Sequence, residues 1–131
     1  WGPADLGRIR DILLTHSHAD HVAGLPMYLD TAYGLGPPPV VHALPDTLHS
    51  LRTDVFNDRL FPDFVKLSTF MPPFLVLSEV VPDAPFRAGK YHVTPLTIDH
   101  AVPAVAYLID DGKVVLAVVT DTQPVPEVYK K

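Results

Sequence analysis

Three histidines and an aspartate fall within six residues, at His16-x-His18-x-Asp20-His21. Imidazole nitrogen and carboxylate oxygen are the ligand atoms of a divalent metal site built without thiolate, and zinc takes both. The chain has no cysteine, so any zinc here must be held by nitrogen and oxygen. At alternating positions His16 and His18 can point the same way, while Asp20 and His21, beyond them, can turn towards a second point. One loop could therefore feed two metals about 3.5–4 Å apart, the spacing of two-metal hydrolytic centres. The competing reading is a solvated loop whose histidines hydrogen-bond backbone groups.

More distant residues offer two further donors. His100 stands between Leu96-Thr97-Ile98 and Ala101-Val102-Pro103, a strand-to-strand junction where it is either a ligand or a core histidine bonded to backbone. Asp121 ends the apolar run Val114 to Thr120, where aspartate serves as a ligand or as a turn-former. Asp99 could orient the His100 ring through its other nitrogen, or sit in a surface turn. His42 and His92 fall in strand patterns and His49 in a helical one, and all three read as structural.

Elements must bring these donors together. Ile9 to Thr15 predicts a buried strand, because Ile12, Leu13 and Leu14 run together just before the polar cluster. Val22 to about Tyr33 predicts a helix with Pro26 in its first turn, stopped by Gly34 and Gly36. A short strand at Val40 to Ala43 and a helix at Pro45 to Phe56 follow, giving β-α-β-α and an α/β class. Asp58 to Pro73 has no clean period and reads as an irregular connection. Leu75 to Val80, Tyr91 to Leu96, Ala104 to Ile109 and Val114 to Thr120 predict strands, the last two joined by a tight turn at Asp110-Asp111-Gly112-Lys113. His16, His100 and Asp121 all fall just past strand ends.

The bulk numbers set limits. The 131 residues fit one domain, which would bury roughly two-thirds of its unfolded surface. Hydrophobic residues make up 47% and charged residues 19%, a globular composition, and no apolar run reaches the length of a membrane span. The net charge of −5 lacks the basic field that long nucleic acids require. The absence of cysteine leaves the compartment open, with the cytoplasm the favoured expectation. The chain opens Trp1-Gly2-Pro3 without Met and stops at Tyr129-Lys130-Lys131 soon after a strand-like run, so a fragment of a longer protein is expected.

Leu14-Thr15-His16-Ser17-His18-Ala19-Asp20-His21, followed by Ala23-Gly24-Leu25-Pro26, resembles the first metal motif of the metallo-β-lactamase superfamily. These are mostly dinuclear hydrolases with a four-layer αββα sandwich. Val41-His42-Ala43-Leu44-Pro45, Val55-Phe56-Asn57, Phe61-Pro62-Asp63-Phe64 and the run from His100 to Ile109 are similar to class II cyclic-nucleotide phosphodiesterases. The likeness runs from about Ile9 to Asp121. It implies that His16, His18 and His100 hold one zinc, that Asp20 and His21 hold a second, and that Asp121 bridges both. The implied reaction is hydrolysis of cyclic AMP or cyclic GMP to the 5′-nucleotide by a hydroxide bridging two zinc ions, with Asp20 also orienting the nucleophile. The implied partner is a small-molecule cyclic nucleotide, with no long nucleic acid and no membrane.

The sequence also departs from that pattern. The superfamily usually has Gly before the bridging aspartate, and Thr120 stands there, a β-branched residue expected to crowd the approach. No glycine-rich strand pair precedes Ile9, and no histidine follows Asp121 to complete the second zinc. An incomplete αββα sandwich forming a single partial domain over 1–131, with its second zinc site unfinished, is the expectation. Phe56 to Phe74 could wall the substrate pocket and stack a purine, or pack as core. Two other functions compete: a tRNA 3′-processing nuclease of the same superfamily, and an inert truncated or interaction module.

Overall fold

The computed structural model describes residues 2–123. Three parallel strands form a first sheet: β1 (Asp11–Leu13), β2 (Val40–Ala43) and β3 (Val76–Glu79), in that order. Parallel neighbours need crossover connections, and helices supply them. Between β1 and β2 lie α2 (Ala19–Val22) and α3 (Gly24–Ala32), and between β2 and β3 lie α4 (Pro45–Ser50), one π-helical stretch (Leu51–Val55) and α5 (Phe64–Leu67). A one-turn helix, α1 (Pro3–Leu6), precedes β1. The second sheet is antiparallel, β4 (Phe86–Ala88), β5 (Tyr91–Ile98), β6 (Ala104–Asp110) and β7 (Val115–Val118), joined in chain order by tight connections.

The layers follow from which faces are apolar. Val22, Leu25, Leu29, Leu48, Leu51 and Phe64 bring the helices onto one face of the first sheet, against Leu14, Val41 and Ala43. Leu44, Val80, Val93, Val105 and Tyr107 fill the space between the two sheets, with Leu13 and Ile109 packed against them. Ile98, Ala104 and Ala106 make a smaller cluster with Val119 on the opposite face of β5 and β6. The architecture is α/β, and the described residues supply a helix layer and two sheets. No helix among them is long and apolar enough to cross a membrane.

Several expected elements are shorter than their apolar runs. The first strand spans three residues, although the Leu14 N–H still bonds the His42 carbonyl at 3.0 Å. The expected Val22–Tyr33 helix is two helices meeting at Ala23, because the chain turns after the histidine cluster before α3 starts with Pro26 in its first turn. The Pro45–Phe56 helix changes to π spacing after Ser50. Strand β4 was hidden by its length and by Pro85 and Gly89 on either side. The Asp110–Lys113 turn matches its prediction: Gly112 has φ +88°, and the Asp111 carboxylate accepts the Lys113 and Val114 N–H groups at 2.9 Å. Those two bonds hold its pKa below the ordinary carboxylate value.

Candidate metal centre

Two contacts fix the chain just before the cluster. The Val105 N–H of the second sheet donates to the Thr15 carbonyl at 3.0 Å. The Tyr107 hydroxyl, buried between the sheets, donates to the Leu14 carbonyl at 2.8 Å. Burial pushes the Tyr107 pKa up, so this hydroxyl stays a donor. The backbone entering His16 is thereby tied to both sheets, and the His16 ring points into a fully buried position.

After His16 the chain remains extended until His18 caps α2, whose single turn carries Asp20 and His21 round to a second side. His100 comes from the turn joining β5 to β6, and Asp121 from the segment just beyond β7. Asp121 has φ +28°, a backbone region that few non-glycine residues adopt and that aspartate tolerates better than most. Its side chain faces the histidines.

The structure brings all six sequence-predicted donors together. Potential ligand atoms of His16, His18, His100 and Asp121 lie within 4.8 Å of one another, as do those of Asp20, His21 and Asp121. Asp121 belongs to both groups. Its Oδ2 is 3.1 Å from His21 Nε2 and 3.9 Å from His16 Nε2. Asp20 Oδ2 is 3.5 Å from His21 Nε2, and His100 Nε2 is 3.0 Å from His18 Nδ1. The His16 ring centroid is 4.1 Å from that of His21, 4.6 Å from that of His100 and 4.8 Å from that of His18.

This donor set fits a divalent cation. His16 Nε2 is buried with no hydrogen-bond partner, and its other nitrogen, Nδ1, is 3.0 Å from the Thr15 hydroxyl. A buried polar atom without a partner is costly, and a metal is the occupant that satisfies convergent imidazoles and carboxylates at once. Protonation favours the same role. Burial lowers the His16 pKa, positive charge at His21, His100 and His18 lowers it further, and Asp121 opposes them. For Asp121, burial acts upward, but the charge and hydrogen bond of His21 outweigh it and hold the carboxyl below its ordinary value. A neutral imidazole and an ionised carboxylate are the ligand forms.

The remaining candidates lie elsewhere. His42 Nε2 pairs with Asp11 Oδ1 at 2.9 Å, and its ring stacks on Phe86. His49 is exposed on α4, and exposed His92 meets Arg87 at 3.3 Å. Asp99 is exposed, and its carbonyl accepts the Gln123 N–H, so the expected help to the His100 ring is not its visible contact. Phe56 and Phe64 are buried in the helix-side core, with Phe74 against Phe64, whereas Leu60, Phe70 and Met71 of the same stretch are exposed. The cavity beside His100, about 430 Å³, is lined by Leu44, Asp46, Pro82, Asp99 and Val102 among others. A larger cavity of about 590 Å³, between β1 and the second sheet, contains none of the six donors. Thr120, expected to crowd Asp121, turns its hydroxyl to Thr15 instead, at 3.2 Å. Nothing local to either threonine signals that pairing across 105 positions. Residues 124–131, where the sequence has no final histidine, lie outside the described residues.

Over residues 2–131 the chain matches the family model of the beta-lactamase superfamily domain. The chain belongs to that superfamily. Its fold is metallo-β-lactamase-like, and the superfamily's chemistry is hydrolysis with a divalent metal, often zinc. Among curated relatives it is 33% identical over 123 residues to an octanoyltransferase of Porphyromonas gingivalis, covering 93% of this chain and 23% of the relative. It is 32% identical over 110 residues to a ribonuclease Z of Pseudomonas putida, covering 83% of this chain and 32% of the relative. The unliganded structure of yeast PDE1 superposes with a TM-score of 0.70 at 25% identity, over 83% of this chain and 32% of that one. The chain thus spans less than a third of each of these proteins.

Proposed function

We propose that this chain carries the two-zinc core of a hydrolase that opens the phosphodiester of 3′,5′-cyclic nucleotides to give 5′-nucleotides. The observation that carries the proposal is the sharing of Asp121 between two donor groups. In this reading His16, His18 and His100 hold one zinc, Asp20 and His21 hold the other, and Asp121 bridges. When bound, zinc supplies a Lewis acid that brings proton loss from water into the neutral range and offsets charge on phosphoryl oxygens. The residues do the placing. His16 sets the buried end of the site, and His21 Nε2 stands 3.1 Å from the Asp121 carboxylate that the two donor groups share. Asp20, with its side chain 76% exposed, stands at the open side, where a carboxylate oxygen can accept a hydrogen bond from the attacking water.

The cavity that His100 lines bears on the class of substrate. Its volume of about 430 Å³ suits a small molecule. Asp46 and Asp99 on its wall, together with a net charge of −5, disfavour a long polyanion. The resemblance to class II phosphodiesterases and the superposition on yeast PDE1 support the same reading. The ribonuclease Z relatives favour a second reading, cleavage at the 3′ end of a tRNA precursor. Assaying the zinc-supplemented chain on cyclic AMP, cyclic GMP and a tRNA precursor separates them. Cyclic-nucleotide turnover that disappears in His18→Ala is the expected result. Precursor cleavage alone would replace the proposal with the nuclease, and bound metal with neither activity would leave an inert module.

A further inference from the structure

We propose that Thr120 is a positioning residue for the buried ligand His16, acting through Thr15 as a two-hydroxyl relay between the two sheet ends. The inference rests on the metal-centre reading above and deepens it. Thr120 Oγ1 donates to Thr15 Oγ1 at 3.2 Å, and Thr15 Oγ1 lies 3.0 Å from His16 Nδ1. Thr15 is buried and Thr120 half-buried, so these bonds are largely shielded from water. Thr15 follows β1 and Thr120 follows β7, so the relay joins the loop bearing His16 to the segment bearing Asp121.

The chemistry assigns the direction. A metal on His16 Nε2 requires that nitrogen's lone pair, so the ring proton must sit on Nδ1 and needs an acceptor. Thr15 Oγ1 is the acceptor within reach. Once Thr15 Oγ1 accepts the His16 Nδ1–H, its own buried O–H needs an acceptor, and Thr120 Oγ1, 3.2 Å away, takes it when the two rotating hydroxyls exchange roles. Taking the Thr120 hydroxyl away leaves His16 Nδ1 as the acceptor within reach of the Thr15 O–H. A neutral ring that accepts at Nδ1 carries its proton on Nε2, where it blocks the metal. Thr120 therefore favours the ligand tautomer of His16, and it does so with the β-branched side chain that the sequence pattern makes unexpected next to Asp121.

Thr120→Val keeps the branched shape and removes the hydroxyl, and Thr120→Ser restores the hydroxyl. Zinc affinity is read by competition with a chromophoric chelator, with thermal unfolding as the fold control. The His16 tautomer in the zinc-loaded chain is read from its imidazole ¹⁵N shifts. The relay predicts about tenfold weaker zinc binding in Thr120→Val, the lower end of the effect seen for partners of metal-bound histidines. It also predicts recovery in Thr120→Ser and an Nδ1–H ring in the wild type. Equal affinity of wild type and folded Thr120→Val, or an Nε2–H ring in the wild type with zinc bound, overturns the relay and leaves the metal centre standing. A wild-type chain that binds no zinc overturns both.

Discussion

Two histidine–aspartate arrangements, one within the first sheet and one where the two sheets end, came to different outcomes. His42, inside β2, and Asp11, the first residue of the adjacent β1, are 2.9 Å apart, with Phe86 stacked on the imidazole. His16 and Asp121 sit just past strand ends, 3.9 Å apart, with His18, His21 and His100 around them. Each has a buried ring nitrogen without a partner, Nδ1 of His42 and Nε2 of His16. Only the His16 nitrogen belongs to a group of converging donors among the described residues. The lesson is geometric. A strand interior confines a side chain to its cross-strand neighbours, whereas strand ends let loops from both sheets aim at one point.

The largest test of that contrast exchanges the two histidines for inert residues. His16→Ala is expected to weaken zinc binding by more than about 100-fold, beyond the range for residues that merely support a ligand. His42→Asn is expected to leave zinc affinity nearly unchanged and to destabilise the fold by about 1–2 kcal/mol, through the lost imidazole contact with Asp11 and the lost stacking on Phe86. Isothermal titration and chemical denaturation read the two quantities. If His42→Asn lost zinc as His16→Ala does, the two arrangements would not be distinct.

Asp121→Ala sharpens the contrast within the centre. A shared carboxylate touches both metals, so its loss should reduce occupancy of both by about tenfold or more, judged from the cost of losing supporting partners alone. Metal analysis after dialysis against a fixed zinc concentration would show it, and unchanged content would remove Asp121 from the centre. Tyr107→Phe comes next. The carbonyls of Leu14 and His42 lose the hydroxyl that links the sheets, at an expected cost of about 1 kcal/mol, with zinc binding retained.

The smallest effect is a pH dependence of the metal-free chain. His16 has a folded pKa below its ordinary 6.5, so the unfolded chain takes up the proton first as pH falls. The stability that this group contributes is fully present above about 6.5 and is lost as pH drops from there through the folded pKa. Thermal unfolding of chelator-treated protein between neutral and acidic pH should therefore fall more steeply for wild type than for His16→Asn. Parallel curves would contradict the assigned shift.

Much of the site was legible because its information is local. His16 to His21 is one segment, and the apolar runs before His16, His100 and Asp121 are enough to put each at a strand end. The bend at Ala23, the π stretch after Ser50 and the strand at Phe86–Ala88 depend on tertiary packing or are too short for a period. The aromatic stretch from Phe56 to Phe74 shows the same limit, since composition alone does not distinguish a pocket wall from a core. Thr15 and Thr120 were invisible as a pair because two ordinary hydroxyls 105 residues apart meet only once both sheets have formed.

The central claim is that two metals share Asp121. Anomalous diffraction at the zinc edge from crystals of the zinc-loaded chain tests it most directly. The account predicts two peaks about 3.5–4 Å apart on either side of the Asp121 carboxylate, one among His16, His18 and His100 and one beside Asp20 and His21. A single peak, or peaks remote from Asp121, would contradict it.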